Sequence, residues 1–314
     1  MSSKANIALE VRVILHILWI SFYLLVFSMQ KKTKKPLAKK AVKKSSVAIT
    51  PAKKVKKSIR LKILANANIA AFIAVIIINF QAVNLPIGGM TTGALSDLYP
   101  NLFTPTGLTF SIRGLIYLAL FGFVIRQMVD LFKKKSLWIT KRVGIRFLLS
   151  CAANIGRIFA RHFQQIFLSV LIMLAFLVIL IVIANKVKIG EKLGKRWDKL
   201  FVQIPFSLYL GWICVAVIAN IAARLVHIQR GMRGMTPIFR TILMIIIAAL
   251  LTLIALYKKY NVIFALVVVR AFIGIIIKTL AAEVVYTQII RTLGICITII
   301  ASAIGRRREK WLKN

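Results

Sequence analysis

The sequence predicts an all-α, multi-pass integral membrane protein, and three observations carry that prediction. The 314 residues are 60% hydrophobic with a mean hydropathy of +0.84, far from the usual soluble mixture. The apolar residues gather into runs of about 20, the length a helix needs to cross hydrocarbon. Lysine and arginine gather between those runs, in loops that alternate between basic and neutral. The formal net charge of +39, from 46 Lys plus Arg against 7 Asp plus Glu, would by itself suggest a nucleic-acid binder. A chain this apolar argues against that partner, and it also excludes a disordered basic tail as the whole molecule.

An N-terminal apolar stretch at 7–29, within a first segment of residues 1–30, has two readings. It is either an additional helix, which places residue 1 outside, or an over-extended start ahead of Met29; it has no clear signal-peptide cleavage site. A linker follows at 31–61, and residues 31–62 carry fourteen Lys or Arg and no acid. That composition reads as a disordered polybasic segment held beside anionic lipid. Eight candidate spans come next, at about 63–83, 110–132, 143–163, 166–185, 202–228, 238–257, 262–281 and 285–304. They read as helices because an isolated strand cannot satisfy its backbone in lipid, and they lack the alternation of barrel strands. From the linker onward the loops hold 14, 0, 5, 0, 6, 2, 2, 0 and 5 Lys plus Arg. Basic loops stay cytoplasmic, so the linker, the 133–142 and 186–200 loops and the basic tail 306–314 share that side. The 84–109 loop is then external, and only Arg230 and Arg233 in the 229–237 loop disturb the alternation. The expected location is a multi-pass position in a membrane, the bacterial plasma membrane, with the C-terminus cytoplasmic.

Arginine breaks a rule that lysine keeps. Of 28 lysines only Lys278 falls within a span, whereas Arg113, Arg126, Arg146, Arg157, Arg161, Arg224, Arg240, Arg270 and Arg291 all do. Unpaired and central, nine such residues would cost on the order of 25 kcal/mol, although snorkelling relieves those near helix ends. Asp130 is the one acid inside the same spans. Three readings compete. A voltage sensor stacks its arginines on one helix, and here they are spread over six. An anion pathway lined by true arginines is the second. The third is that these positions, with 230 and 233, are tryptophan, written as Arg because CGG is decoded as Trp; Lys would then not share the misplacement.

The third reading gains support from short motifs. Pro105 is followed by Arg113 and Tyr117; Asn154-Ile-Gly-Arg157 follows in the third span; Tyr209-Leu-Gly-Trp212, Ala216, Asn220 and Arg224 lie in the fifth. Over about residues 62–228 the chain resembles the tryptophan-rich sensory protein family, which includes the mitochondrial translocator protein. At these spacings the family carries Pro…Trp…Tyr, Asn-x-x-Trp and Tyr-Leu-Ala-Trp, with tryptophan where Arg113, Arg157 and Arg224 stand here. The resemblance implies a five-helix translocator-like bundle at 62–228 with a pocket closed by the loop between its first two helices. A three-helix extension at 229–305 then follows, which the family's five helices do not account for. It also implies a porphyrin-like ligand, a role in binding, sensing, reception or transport, and a homodimer as a possible assembly.

The residues suit that chemistry, because a flat apolar macrocycle needs aromatic walls and a few polar groups. The ligand-binding candidates are therefore Arg113, Tyr117, Asn154, Arg157, Tyr209, Trp212, Asn220 and Arg224. Pro86, Gly88, Gly89, Gly93, Tyr99, Pro100, Phe103 and Pro105 give the 84–109 loop the turn chemistry of an ordered cap. Asn154 and Asn220 have a plainer reading as helix bridges, and Tyr117 and Trp212 as packing or interfacial aromatics. Asp97 reads as a turn or cap residue. His162 and His227 read as packing or water-facing histidines ahead of haem ligands. Cys151, Cys214 and Cys296 lie in apolar runs and read as packing residues. No phosphate-binding glycine loop, zinc-type Cys/His spacing or nucleophile motif is present. The expectation is a binding protein and not an enzyme, with no cofactor beyond a tetrapyrrole as ligand and no nucleic-acid partner. The bilayer, and anionic lipid at the linker, complete the expected partners.

Overall fold

The structure, a computed structural model, describes residues 16, 51–85, 87–90, 95, 98, 101–133, 137–190, 196–227 and 236–313. The N-terminal apolar stretch (apart from position 16), most of the polybasic linker, Pro86, Gly93, Asp97, Tyr99, Pro100, Arg230 and Arg233 lie outside these residues, as does the side chain of His227.

Among the described residues the fold is helical. The long helices are α1 (Pro51–Asn84) and α2 (Ile112–Phe132), the latter entered through a 3-10 turn at Gly107–Ser111. A short α3 (Trp138–Val143) precedes α4 (Ile145–His162), α5 (Ile166–Lys186) and α6 (Ile204–His227). The remaining three are α7 (Pro237–Lys259), α8 (Val262–Leu280) and α9 (Thr287–Lys313). Among the described residues seven helical segments are long and apolar enough to cross a membrane, which makes this a multi-pass membrane protein.

The third expected span, 143–163, differs. Gly144 at φ 50° breaks the chain between α3 and α4, so Val143 closes the short helix. α4 has the length of a span but carries Arg146, Arg157 and Arg161, too many charges for a uniformly apolar helix. Its buried positions Phe147, Cys151, Asn154 and Ile158 recur at helical spacing, so α4 turns one face inward against its neighbours.

Two helices also run past their expected ends. α1 starts at Pro51, a residue suited to a first helical turn, and so takes in the last part of the expected linker. α9 continues through the basic tail to Lys313. Elsewhere the boundaries follow local chemistry. Thr236 caps α7 by accepting from the Phe239 N–H at 3.2 Å, with Pro237 next. Asn261 caps α8 by accepting from the Phe264 N–H at 3.1 Å.

α6 is the hub of the packing. It touches α2, α5, α7 and α8, and 78% of its most apolar window is buried. α1 packs on α2 and α4, α4 on α5, and α9 on α7 and α8. Phe123, Phe147 and Phe206 meet in the core where α2, α4 and α6 converge, with ring centroids 5.0–6.1 Å apart. Gly211 lets α6 approach α8 closely, since a Cβ there would lie 3.0 Å from Val267. The three cysteines are buried and free.

Among the nine arginines, Arg126 has partners of opposite charge. It bonds Asp130 on the next turn of α2 and lies 3.7 Å from Asp198 at the start of the segment leading into α6. Both acids are buried. A tryptophan at 126 would leave two buried carboxylates without this cation, which is costly. The argument for a misread tryptophan therefore does not extend to this position. Peptide mass spectrometry of protein from its native host reads these positions directly. Arginine is expected at 126; tryptophan at 113, 157 and 224 would establish the recoding, and arginine at all four would overturn it.

Candidate functional site

A buried polar network in the fold begins with a residue that the sequence motifs do not single out. Asn79 sits in the middle of the apolar run of α1 and is 4% exposed. A buried amide must find partners, and this one finds four. Its Oδ1 accepts from Arg113 Nη2 at 2.5 Å and from the Tyr117 hydroxyl at 2.6 Å. Its Nδ2 donates to the Val75 carbonyl at 2.8 Å and to Asn154 Oδ1 at 3.0 Å. Asn154 Nδ2 in turn donates to the Tyr209 hydroxyl at 2.5 Å. One chain of hydrogen bonds thus ties α1, α2, α4 and α6 together.

Beside this network lies a cavity of about 820 Å³. Phe110, Trp212, Met173, Val215 and Ala216 supply apolar wall, and Phe110 meets Trp212 edge to face at 5.5 Å. Arg113, Arg157, Arg161 and Lys278 line the same space, and none of the described lining residues is acidic. The Nε of Arg157 is buried without a hydrogen-bond partner. Asn220 also lines the cavity; its Nδ2 donates to Ser169 Oγ at 3.0 Å and lies 3.1 Å from Met173 Sδ.

The loop between α1 and α2 forms one wall, through Asn101 and Thr104–Gly107. Phe103 and Leu95 of that loop are each 1% exposed, so the segment is seated by apolar anchors. Gly88 and Gly89 make a turn at φ 62° and 86°, a conformation glycine adopts at no steric cost. The loop is also held from the far side. The Thr106 N–H donates to the Gly274 carbonyl of α8 at 3.3 Å, and Arg270 Nη2 donates to Ser111 Oγ at 3.0 Å. Two of the expected cap residues, Phe103 and Pro105, thus take part, and the helix that receives the loop lies beyond residue 228.

The eight candidate residues divide into three groups. Arg113, Arg157, Trp212 and Asn220 line the cavity. Tyr117, Asn154 and Tyr209 belong to the hydrogen-bond network that joins the helices, and they are absent from the lining. For Asn154 this is the plainer of its two readings. Arg224 does not line the cavity either; its guanidinium lies 5.7 Å from the Phe167 ring centroid. Asn79, Phe110, Arg161 and Lys278 were not among the candidates. A polar residue inside an apolar run was the available signal for Asn79, whereas Phe110 had none beyond its place at a span's start. His162 donates from Nδ1 to the Ile158 carbonyl at 2.8 Å and is not a lining residue.

A protein-family model described as TSPO-like protein matches residues 63–305. The match continues past residue 228 and includes α7, α8 and most of α9, the helices that the motif resemblance left unexplained. No curated protein and no solved structure matches the chain. The family match covers most of the sequence, in an apolar helical fold that carries the Asn154, Tyr209 and Trp212 motifs, and so the chain belongs to the TSPO-like protein family.

Proposed function

We propose that this protein binds a flat, apolar ligand with anionic substituents, of the porphyrin kind, in the 820 Å³ cavity, and that it senses or moves that ligand. The observation that carries the reading is the cavity's composition: apolar and aromatic walls, and cations without an acid among the described lining residues. Its volume falls within the range of about 300–1,000 Å³ typical of small-molecule sites. The reading holds for either identity of the suspect positions. Arginine at 113 and 157 offers planar guanidinium groups that stack and pair with carboxylates; tryptophan there adds aromatic wall and leaves Lys278 as a cation.

Binding without catalysis is the chemistry this lining favours, and the bilayer is the medium. We place the C-terminus on the cytoplasmic side of a bacterial plasma membrane, with the polybasic linker against anionic lipid, on the strength of the loop charges.

Trp212 lies in the cavity wall, which makes intrinsic fluorescence a direct probe. Protoporphyrin titrated into the full chain in lipid nanodiscs should quench tryptophan emission saturably, and Trp212→Phe should remove much of that quenching. Quenching that never saturates, or that is unchanged in Trp212→Phe, would count against the site. A second reading, a small-anion pathway, draws on the four cations that line the cavity. Chloride flux through proteoliposomes that falls in Arg157→Met would favour it; the ligand-site reading expects no flux above empty vesicles.

A further inference from the structure

The large cavity has a neighbour. A second one, of about 320 Å³, is lined by Ala222 and Leu225 of α6, by Arg240, Thr241 and Met244 of α7, and by Tyr286 ahead of α9. Asn101 and Lys278 line both cavities. The two chambers therefore share part of their wall, and that part contains the lysine that departs from the distribution of all the others.

Lys278 differs from every other cation in either chamber. It is the one lysine within the expected spans, so its charge does not depend on how CGG is decoded. It sits near the end of α8, the helix that receives the Thr106 N–H on Gly274 and holds Ser111 through Arg270. The element that pins the loop thus also brings an ammonium group to the boundary between the chambers. An ammonium beside apolar walls recognises a carboxylate or phosphate by a charge-assisted hydrogen bond.

We infer that Lys278 anchors an anionic substituent of the ligand, with the flat body in the larger chamber and the substituent directed to the smaller one. The inference rests on the larger cavity being the porphyrin-type site, and it specifies that site's ligand as an amphiphile with a flexible carboxylate arm. It also makes α7 and α8 part of the binding site.

The test compares protoporphyrin, which has two free carboxylates, with its dimethyl ester on the full chain in nanodiscs of zwitterionic lipid. Wild type should bind the diacid about tenfold more tightly than the ester, the scale of one charged hydrogen bond. Lys278→Met should weaken the diacid alone and reduce that preference, and Lys278→Arg should restore it. Lys278 is exposed, so these changes leave the helix packing intact. Leu225→Trp, which narrows only the smaller chamber, should weaken the diacid and spare the ester. Equal affinity of wild type for both compounds, or a diacid preference undiminished in Lys278→Met, would overturn the anchor while leaving the cavity reading in place. Failure of wild type to bind either compound would overturn both. Repeating the titration with anionic phospholipid separates a lipid headgroup from the ligand's own carboxylate. If that lipid abolishes the wild-type diacid preference, Lys278 is a headgroup site and the inference fails.

Discussion

Gly190→Ala is expected to destabilise the protein by about 4 kcal/mol, the sum of an overpacking term and a left-handed backbone term. Gly190 sits at φ 84°, and a Cβ built there would lie 1.5 Å from the Lys259 carbonyl oxygen and 2.6 Å from its carbon. Both atoms are backbone, so no rotamer change relieves the overlap. The turn after α5 must separate from the C-terminal end of α7, and the packing of neighbouring Val187 and Ile189, both buried, is lost with it. Thermal unfolding of purified protein in lipid or detergent, followed by tryptophan fluorescence, reads the effect. Gly294→Ala is the control: nothing lies within 4 Å of its added Cβ, and alanine suits a helix better than glycine. Its midpoint should be equal to wild type or higher. A Gly190→Ala midpoint equal to wild type would show that the turn does not pack as described.

Gly274→Ala should act on binding more than on global stability. A Cβ at 274 would lie 2.0 Å from Thr109 Oγ1 and 3.0 Å from Pro105 Cβ. Thr109 is buried, and its hydroxyl pairs with Thr106 Oγ1 at 3.1 Å, so rotation away costs that bond. The simplest relief is for the 104–109 segment to lift from α8, breaking the Thr106-to-Gly274 hydrogen bond and opening the wall of the cavity. Porphyrin affinity should fall about tenfold or more, the equivalent of a typical overpacking penalty. Protease cleavage within the 84–109 loop should rise at the same time. Thr109→Ala combined with Gly274→Ala removes the closest contact and leaves neighbours at 3.0–3.1 Å, so it should recover part of the loss. Unchanged affinity and cleavage in the single variant would mean that the loop does not depend on α8.

Much of the fold was legible in the sequence because hydrocarbon imposes a length and a composition that few soluble segments share. The run at 166–185 became Ile166–Lys186, that at 262–281 became Val262–Leu280, and that at 110–132 became the 3-10 turn plus Ile112–Phe132. The third span was less legible because it mixes two signals: Gly144 divides it, and its arginines make it amphipathic. The site was legible only in part. Of the residues singled out by motif spacing, Arg113, Arg157, Trp212 and Asn220 line the cavity. The same spacing could not separate lining residues from the Tyr117–Asn154–Tyr209 network just beside them, since those also point inward. Nothing in the local pattern around Gly274 or Lys278 reports that α8 meets the loop before α2. That contact depends on which helices are neighbours, and apolar periodicity says little about neighbours when every face is apolar.

The bond between Arg270 and Ser111 spans 159 residues of chain, and this has a consequence for biosynthesis. Translation proceeds from the N-terminus, and early segments are made well before late ones. During that interval α1 to α6 can be inserted and packed while the loop has no α8 to rest on. A nascent chain paused before residue 262 would lack the helix on which the loop rests, and that contact would arrive only with the last 53 of the 314 residues, 262–314.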